Sequence, residues 1–153
     1  LVGHLARANK QWREFTDQEV MVIFNGPHAY ISPSWYENHP SVPTWNYATV
    51  HAYGIPMLIE EQSAVDAVLH ALVKNHEGGR NPEWEMNLPD DFMDTMRKAI
   101  VAFEIEITRL EGKFKLSQNK SETDKQTVIA NLLDSRYPED VATGELMQKR
   151  ESL

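Results

Sequence analysis

The order of elements in this chain predicts an α+β fold with a mainly antiparallel sheet or barrel. Three observations carry that reading. Two segments, "TWNYATVHAYG" (44–54) and "IVAFEIEITRLEG" (100–112), alternate side chains with the period of a strand. Two others repeat apolar residues at helical spacing, over 64–73 and 128–133. Strands and helices also come in groups, without the regular alternation that marks a doubly wound sheet.

Each element has a local reason. Leu1 to Leu5 reads as a strand end, and Asn9 can cap a short helix carrying Trp12 and Phe15. "EVMVIF" (19–24) is an almost continuous apolar run, predicted as a short buried strand that Asn25-Gly26-Pro27 ends in a turn. Residues 33–43 form a loop with one helical turn. In the next strand Trp45, Tyr47, Thr49, His51 and Tyr53 share one face, and Asn46, Ala48, Val50 and Ala52 the other. "MLIE" continues it past Pro56. Ala64, Val65, Val68, Leu69, Leu72 and Val73 form the apolar stripe of a helix that Gly78-Gly79 stop. A polar loop over 80–89 leads to a short helix over 90–96. Val101, Phe103, Ile105 and Ile107 oppose Glu104, Glu106 and Thr108 on a strand that turns at Gly112 and resumes over 113–116. Ser121 to Asp124 resembles a capping box, opening a helix with the stripe Val128, Ile129, Leu132 and Leu133. Pro138 starts a last, charged helix.

With 153 residues the chain predicts one domain, or one domain with a small appendage. Its net charge of -8 weighs against duplex DNA, whose binders carry a basic stripe. There is no cysteine, which excludes disulfides, thiolate catalysis and Cys-type zinc sites and fits a reducing cytoplasm. No apolar run approaches the ~18 residues of a membrane span. The opening "LVGHLARANK" lacks Met and a signal-peptide pattern, and it reads as the middle of a longer protein.

Several motifs admit both a chemical and a structural reading. "GHLARAN" (3–9) places Arg7 just after a strand, where its planar donor fork suits a phosphate; it equally suits a surface Arg beside a helix cap. Residues 26–47 hold Tyr30, Trp35, Tyr36, Trp45 and Tyr47 among four prolines. These aromatics suit a core, a dimer contact or the wall of a flat-ligand site. His4, His28, His39 and His51 make no H-x-x-x-H or H-E-x-x-H pattern, so no metal site is predicted. There is no Walker loop, Rossmann fingerprint or G-x-S-x-G, and no residue stands out as a catalytic acid or base. Ser117, Gln118 and Asn119 end a strand, where they line a pocket or begin a turn.

Taken in order, "GHLARAN", "GPHAYISPSWY", "VPTWNY" with its following "VHAYG", and "FEIEITRLEGKFKLSQN" resemble the FMN-binding negative transcriptional regulator family, PaiB-like, over residues 3–147. The resemblance implies a split β-barrel with flanking helices, similar to flavin reductases and pyridoxamine-phosphate oxidases. It implies a split-barrel FMN-binding domain over 1–120, whose first strands precede this start, and a C-terminal helical segment over 121–153. It also implies a homodimer with FMN in a cleft between subunits. Arg7 becomes the first candidate phosphate ligand, with His4 and Asn9 beside it. Trp45, Asn46 and Tyr47 would face the flavin, and Gln118 and Asn119 would meet the ring edge. A flavin is flat, apolar on its faces and polar at its edges, and stacking aromatics with a few fixed donors suit it. The implied function is repression of protease synthesis and sporulation genes, by an indirect route given the acidic charge and the lack of a helix-turn-helix pattern. The alternative is an FMN-dependent oxidoreductase acting on a small molecule, which fold analogy alone supports.

Overall fold

The computed structural model describes residues 1–151. Four strands, β1 (Val2–Ala6), β2 (Val20–Ile31), β3 (Thr44–Ile59) and β4 (Ile100–Lys115), form one sheet in the order β1-β4-β3-β2. β1 pairs antiparallel with β4, from Val2 opposite Glu104 to Ala6 opposite Ile100. Four helices complete the α+β fold: α1 (Gln62–Glu77), α2 (Asp90–Lys98), α3 (Glu122–Leu133) and α4 (Pro138–Glu151). Short 3-10 turns cover Lys10–Glu14 and Pro33–Trp35. The predicted caps form: the Asn9 side chain accepts from the Gln11 N–H, and that of Ser121 from the Asp124 N–H.

Two strand predictions are corrected. β2 does not end at Phe24 but runs on through Asn25-Gly26-Pro27 to Ile31. Gly26 is needed for closeness rather than for a turn, since a Cβ there would lie 3.1 Å from the Ala48 carbonyl oxygen. Pro27 is tolerated because β2 is an edge strand, which need not donate on its open side. The run is not buried either: Met21, Ile23 and Phe24 are exposed. Likewise β4 passes through Gly112 without a turn.

The chain divides into two compact units, one of Leu1–Met21 with Tyr53–Arg109, the other of Val22–Ala52 with the residues from Leu110 on. In the first unit Val68, Met93, Val101, Ala102 and Ile105 are buried, and the Phe15 ring meets Phe103 edge-on at 5.3 Å. In the second unit Ile31 and Tyr36 pack with Leu116, Val128, Ile129, Leu132 and Met147. The α3 stripe is as predicted, except that Leu133 is half-exposed. A Cβ on Gly144 of α4 would come within 3.1 Å of the Leu132 Cβ, so the glycine sets how closely the two helices approach.

Asp124 departs from a full capping box. Its buried carboxylate turns to the loop after β2, where Oδ1 accepts from the Glu37 N–H at 2.8 Å and Oδ2 from the Asn38 amide at 3.2 Å. The Glu37 N–H above all, and then the Asn38 amide, hold its carboxyl below the usual carboxylate range, against the opposing effect of desolvation. An unfolded Asp titrates near ~3.9. With a lower folded value, the stabilisation is complete above about pH 4 and is lost as pH falls through that folded value. We expect Asp124→Asn to lower the thermal midpoint at neutral pH and to flatten its decline below about pH 4. Midpoints of both proteins between acid and neutral pH check this; an equally steep acid limb in the variant would refute it.

Candidate functional site

The eight residues singled out from the sequence fall in separate places. In the first unit, β1 carries His4 opposite Ala102, with its side chain exposed. Arg7 follows the strand. Its backbone N–H bonds the Ala99 carbonyl, and its guanidinium Nε and Nη2 donate to the carbonyls of Lys98 (2.8 Å) and Ile100 (2.7 Å). Arg7 thus ties β1 to the junction of α2 and β4. A guanidinium has five N–H donors, so two are spent and three remain. No carboxylate pairs with it among the described residues. Trp12 lies beside it, its indole N–H on the Arg7 carbonyl. Asn9 is spent on its cap.

Arg7 and Trp12 border a cavity of about 500 Å³ with Leu58, Gln62, Arg97 and Lys98. Arg97 differs from Arg7 in being neutralised. It makes a two-point pair with Asp66 (2.6 and 3.1 Å) and a further contact to Asp94 at 2.5 Å. The Asp66 hydrogen bond is the main cause that raises its already high pKa. Arg7 is therefore the anchored cation of this cavity with donors and charge unspent.

In the second unit, alternation along β3 sends Trp45 and Tyr47 to one side and Asn46 to the other. Trp45 and Tyr47 line a groove of about 480 Å³ with Ile23, His28, Thr49 and His51. Trp45 is 53% exposed, and its ring is 6.1 Å from both Tyr30, edge-on, and His28, tilted. His28 Nδ1 lies 3.4 Å from Glu139 Oε1. The face predicted from alternation forms this wall.

Asn46 is only 1% exposed and is used internally. Its amide donates to Ser117 Oγ (3.0 Å) and to Met147 Sδ (3.3 Å), while Ser117 Oγ donates back to Asn46 Oδ1 (3.2 Å). Gln118 folds onto the end of β4, its amide donating to the Phe114 carbonyl and accepting from the Leu116 N–H, both at 2.7 Å. Asn119 is exposed. These three residues share a smaller cavity of about 210 Å³. Sequence reasoning had Tyr36 only as one aromatic among five over 26–47 and missed Lys115 and Lys120 of that cavity, because residue type alone does not show which loop meets a strand end. Among the described residues no group of three or more metal-ligating side chains is present.

The family described as "Putative FMN-binding domain" matches residues 1–109. Protease synthase and sporulation protein PAI 2 of Bacillus subtilis is 38% identical over 151 residues, covering 98% of this chain and 72% of that protein. This chain belongs to that FMN-binding-domain family. An uncharacterized protein of Aspergillus fumigatus is 35% identical over 84% of this chain and 57% of its own length, so the chain corresponds to part of each relative. Among solved structures, the flavocytochrome Anf3 from Azotobacter vinelandii superposes with a TM-score of 0.57 over 92% of this chain and 70% of that one, at 17% identity. That likeness speaks for the fold alone, and it agrees with the α+β, split-barrel-like fold expected from the motifs.

Proposed function

We propose that the protein is a flavin-binding homodimer that acts as a negative regulator of the protease-synthesis and sporulation type, without reading duplex DNA directly. The observation that carries the flavin part is the aromatic groove of the second unit. Its volume of about 480 Å³ lies within the ~300–1,000 Å³ usual for a ligand site. Trp45 and Tyr47 offer π-faces to a flat ring, while Thr49, His28 and Asn25 offer polar groups for its edge. In the first unit Arg7, with three N–H groups unspent and no carboxylate partner among the described residues, is a separate phosphate candidate. Family membership and the likeness to PAI 2 support the regulatory part. The exposed Ile23, Phe24, Tyr30, Trp45 and Val50 support self-association.

FMN titration followed by flavin fluorescence tests the two candidates separately. Trp45→Ala is expected to weaken binding roughly ten-fold through lost stacking and buried area. Arg7→Ala removes a charged hydrogen bond of about 1.5–3 kcal/mol, or roughly ten- to a hundred-fold, and Arg7→Lys restores only part because an ammonium lacks the fork. Arg7→Ala also loses two bonds to backbone carbonyls, so its thermal midpoint should fall, which separates anchoring from phosphate binding. Unchanged affinity in both Ala variants would remove the flavin from these sites. Rapid bleaching of bound flavin by NAD(P)H would favour the oxidoreductase reading instead.

The assembly has its own test. Sedimentation at micromolar concentration should give a dimer, since an obligate interface buries on the order of 2,000 Å² or more. A monomer throughout would end the dimer reading. A sequence-specific, salt-sensitive gel shift with purified protein would overturn indirect regulation.

A further inference from the structure

The segment from Asn81 to Met96 takes no part in the flavin reading. It carries five carboxylates, Glu83, Glu85, Asp90, Asp91 and Asp94, and no Lys or Arg. Trp84 and Phe92 are each 47% exposed, and Met96 is 40% exposed. Phe92 and Met96 stand four residues apart on α2, so they share one face. Met93 is the residue of α2 that is buried, so the helix docks onto the first unit there and leaves Phe92 and Met96 uncovered. Trp84 is held by its backbone, whose N–H donates to Glu77 Oε2 at the end of α1 (3.3 Å). Residues 85–89 join it to α2 through a turn closed by the Asn87 N–H on the Glu85 carbonyl (2.8 Å). A link of that length keeps Trp84 within roughly 22 Å of the helix start.

Aromatic side chains and Met are enriched at the centres of protein interfaces, and the charge around these three decides the partner. Asp94 is spent on Arg97, which Asp90 also attracts. Glu83, Glu85 and Asp91 form no ion pair among the described residues. The two glutamates bracket Trp84 in sequence, and an exposed indole in acidic surroundings suits a Lys or Arg stacked on its ring. Nucleic acid and the anionic face of a membrane would be repelled. A second copy docked through the same patch across a two-fold axis would set these carboxylates against their own kind. A basic amphipathic segment answers both features, with apolar side chains for Trp84, Phe92 and Met96 and cations for the carboxylates. As a helix of about 15 residues it spans about 22 Å, enough to reach from α2 to Trp84.

We propose that Trp84 and the Phe92–Met96 face of α2, with Glu83, Glu85 and Asp91, form a docking surface for a basic amphipathic helix of a partner protein, independently of any flavin. Isothermal titration of the full chain with a synthetic Leu/Lys amphipathic peptide of about 15 residues tests it. A Lys/Ser peptide of equal charge and a Leu/Glu peptide are the controls. One saturable site is expected for the Leu/Lys peptide and none for the controls. Phe92→Ser with Met96→Ser, and separately Trp84→Ala, should each weaken binding roughly ten-fold or more. Glu83→Gln with Glu85→Gln should weaken it and flatten its salt dependence. Asp134→Asn with Glu145→Gln, which removes the same charge from the second unit, should leave the affinity as it was. The patch positions are exposed, so circular dichroism of their variants should match wild type. No saturable binding, equal affinity for either control peptide, equal affinity in wild type and the patch variants, or equal losses from the two charge pairs would overturn the proposal. Loss of a solution dimer on changing Phe92 and Met96, seen by sedimentation, would give the face to a second copy and overturn it as well.

Discussion

Gly54→Ala is expected to lower the unfolding free energy by about 3 kcal/mol or more. A Cβ at Gly54 would lie 2.0 Å from the Glu106 carbonyl oxygen, 3.0 Å from its carbonyl carbon and 2.6 Å from Ile105 Cγ2. Two of those atoms are backbone of the neighbouring strand, so no rotamer change relieves the clash; β3 and β4 must separate where their ladder is buried. Gly112 on β4 is the internal control, because a Cβ there meets nothing within 4 Å. Urea unfolding of Gly54→Ala and Gly112→Ala checks the contrast. A Gly54→Ala variant as stable as Gly112→Ala would show that the strands do not approach this closely.

Leu132→Ala should cost about 2–5 kcal/mol, the range for truncating a fully buried leucine. Leu132 has no exposure, and it packs with Ile31, Val128 and Met147 where Gly144 lets α4 close on α3. Leu133, next in sequence but 37% exposed, should lose less than about 1 kcal/mol on the same change. Denaturant midpoints of the two variants decide it; equal losses would mean that the α3 stripe faces elsewhere.

Much of the fold was legible because its signals are local. Alternation placed β3 and most of β4, a 3.6-residue stripe placed α1 and α3, and Asn9 and Ser121 announced the caps they make. Asn25-Gly26-Pro27 and Gly112 carry turn chemistry, yet strands run through both. In β2 the reason is what lies beside the chain. Gly26 meets Ala48, Pro27 sits on an edge, and neither neighbour appears in a local window.

The site divides in the same way. The sequence by itself determined the family, through four ordered motifs, and the shared face of Trp45, Tyr47, Thr49 and His51, which needs only the two-residue period of a strand. Only the tertiary structure decided what each polar group does with its hydrogen bonds. Asn46 is buried against Ser117 and Met147, Gln118 closes the end of β4, and Arg7 anchors a helix–strand junction with three donors to spare. The physical reason is that a side chain's type fixes how many donors it has, whereas its partners come from segments far away in sequence. Asn46 and Ser117 are 71 residues apart, and Arg7 and Ile100 are 93 apart.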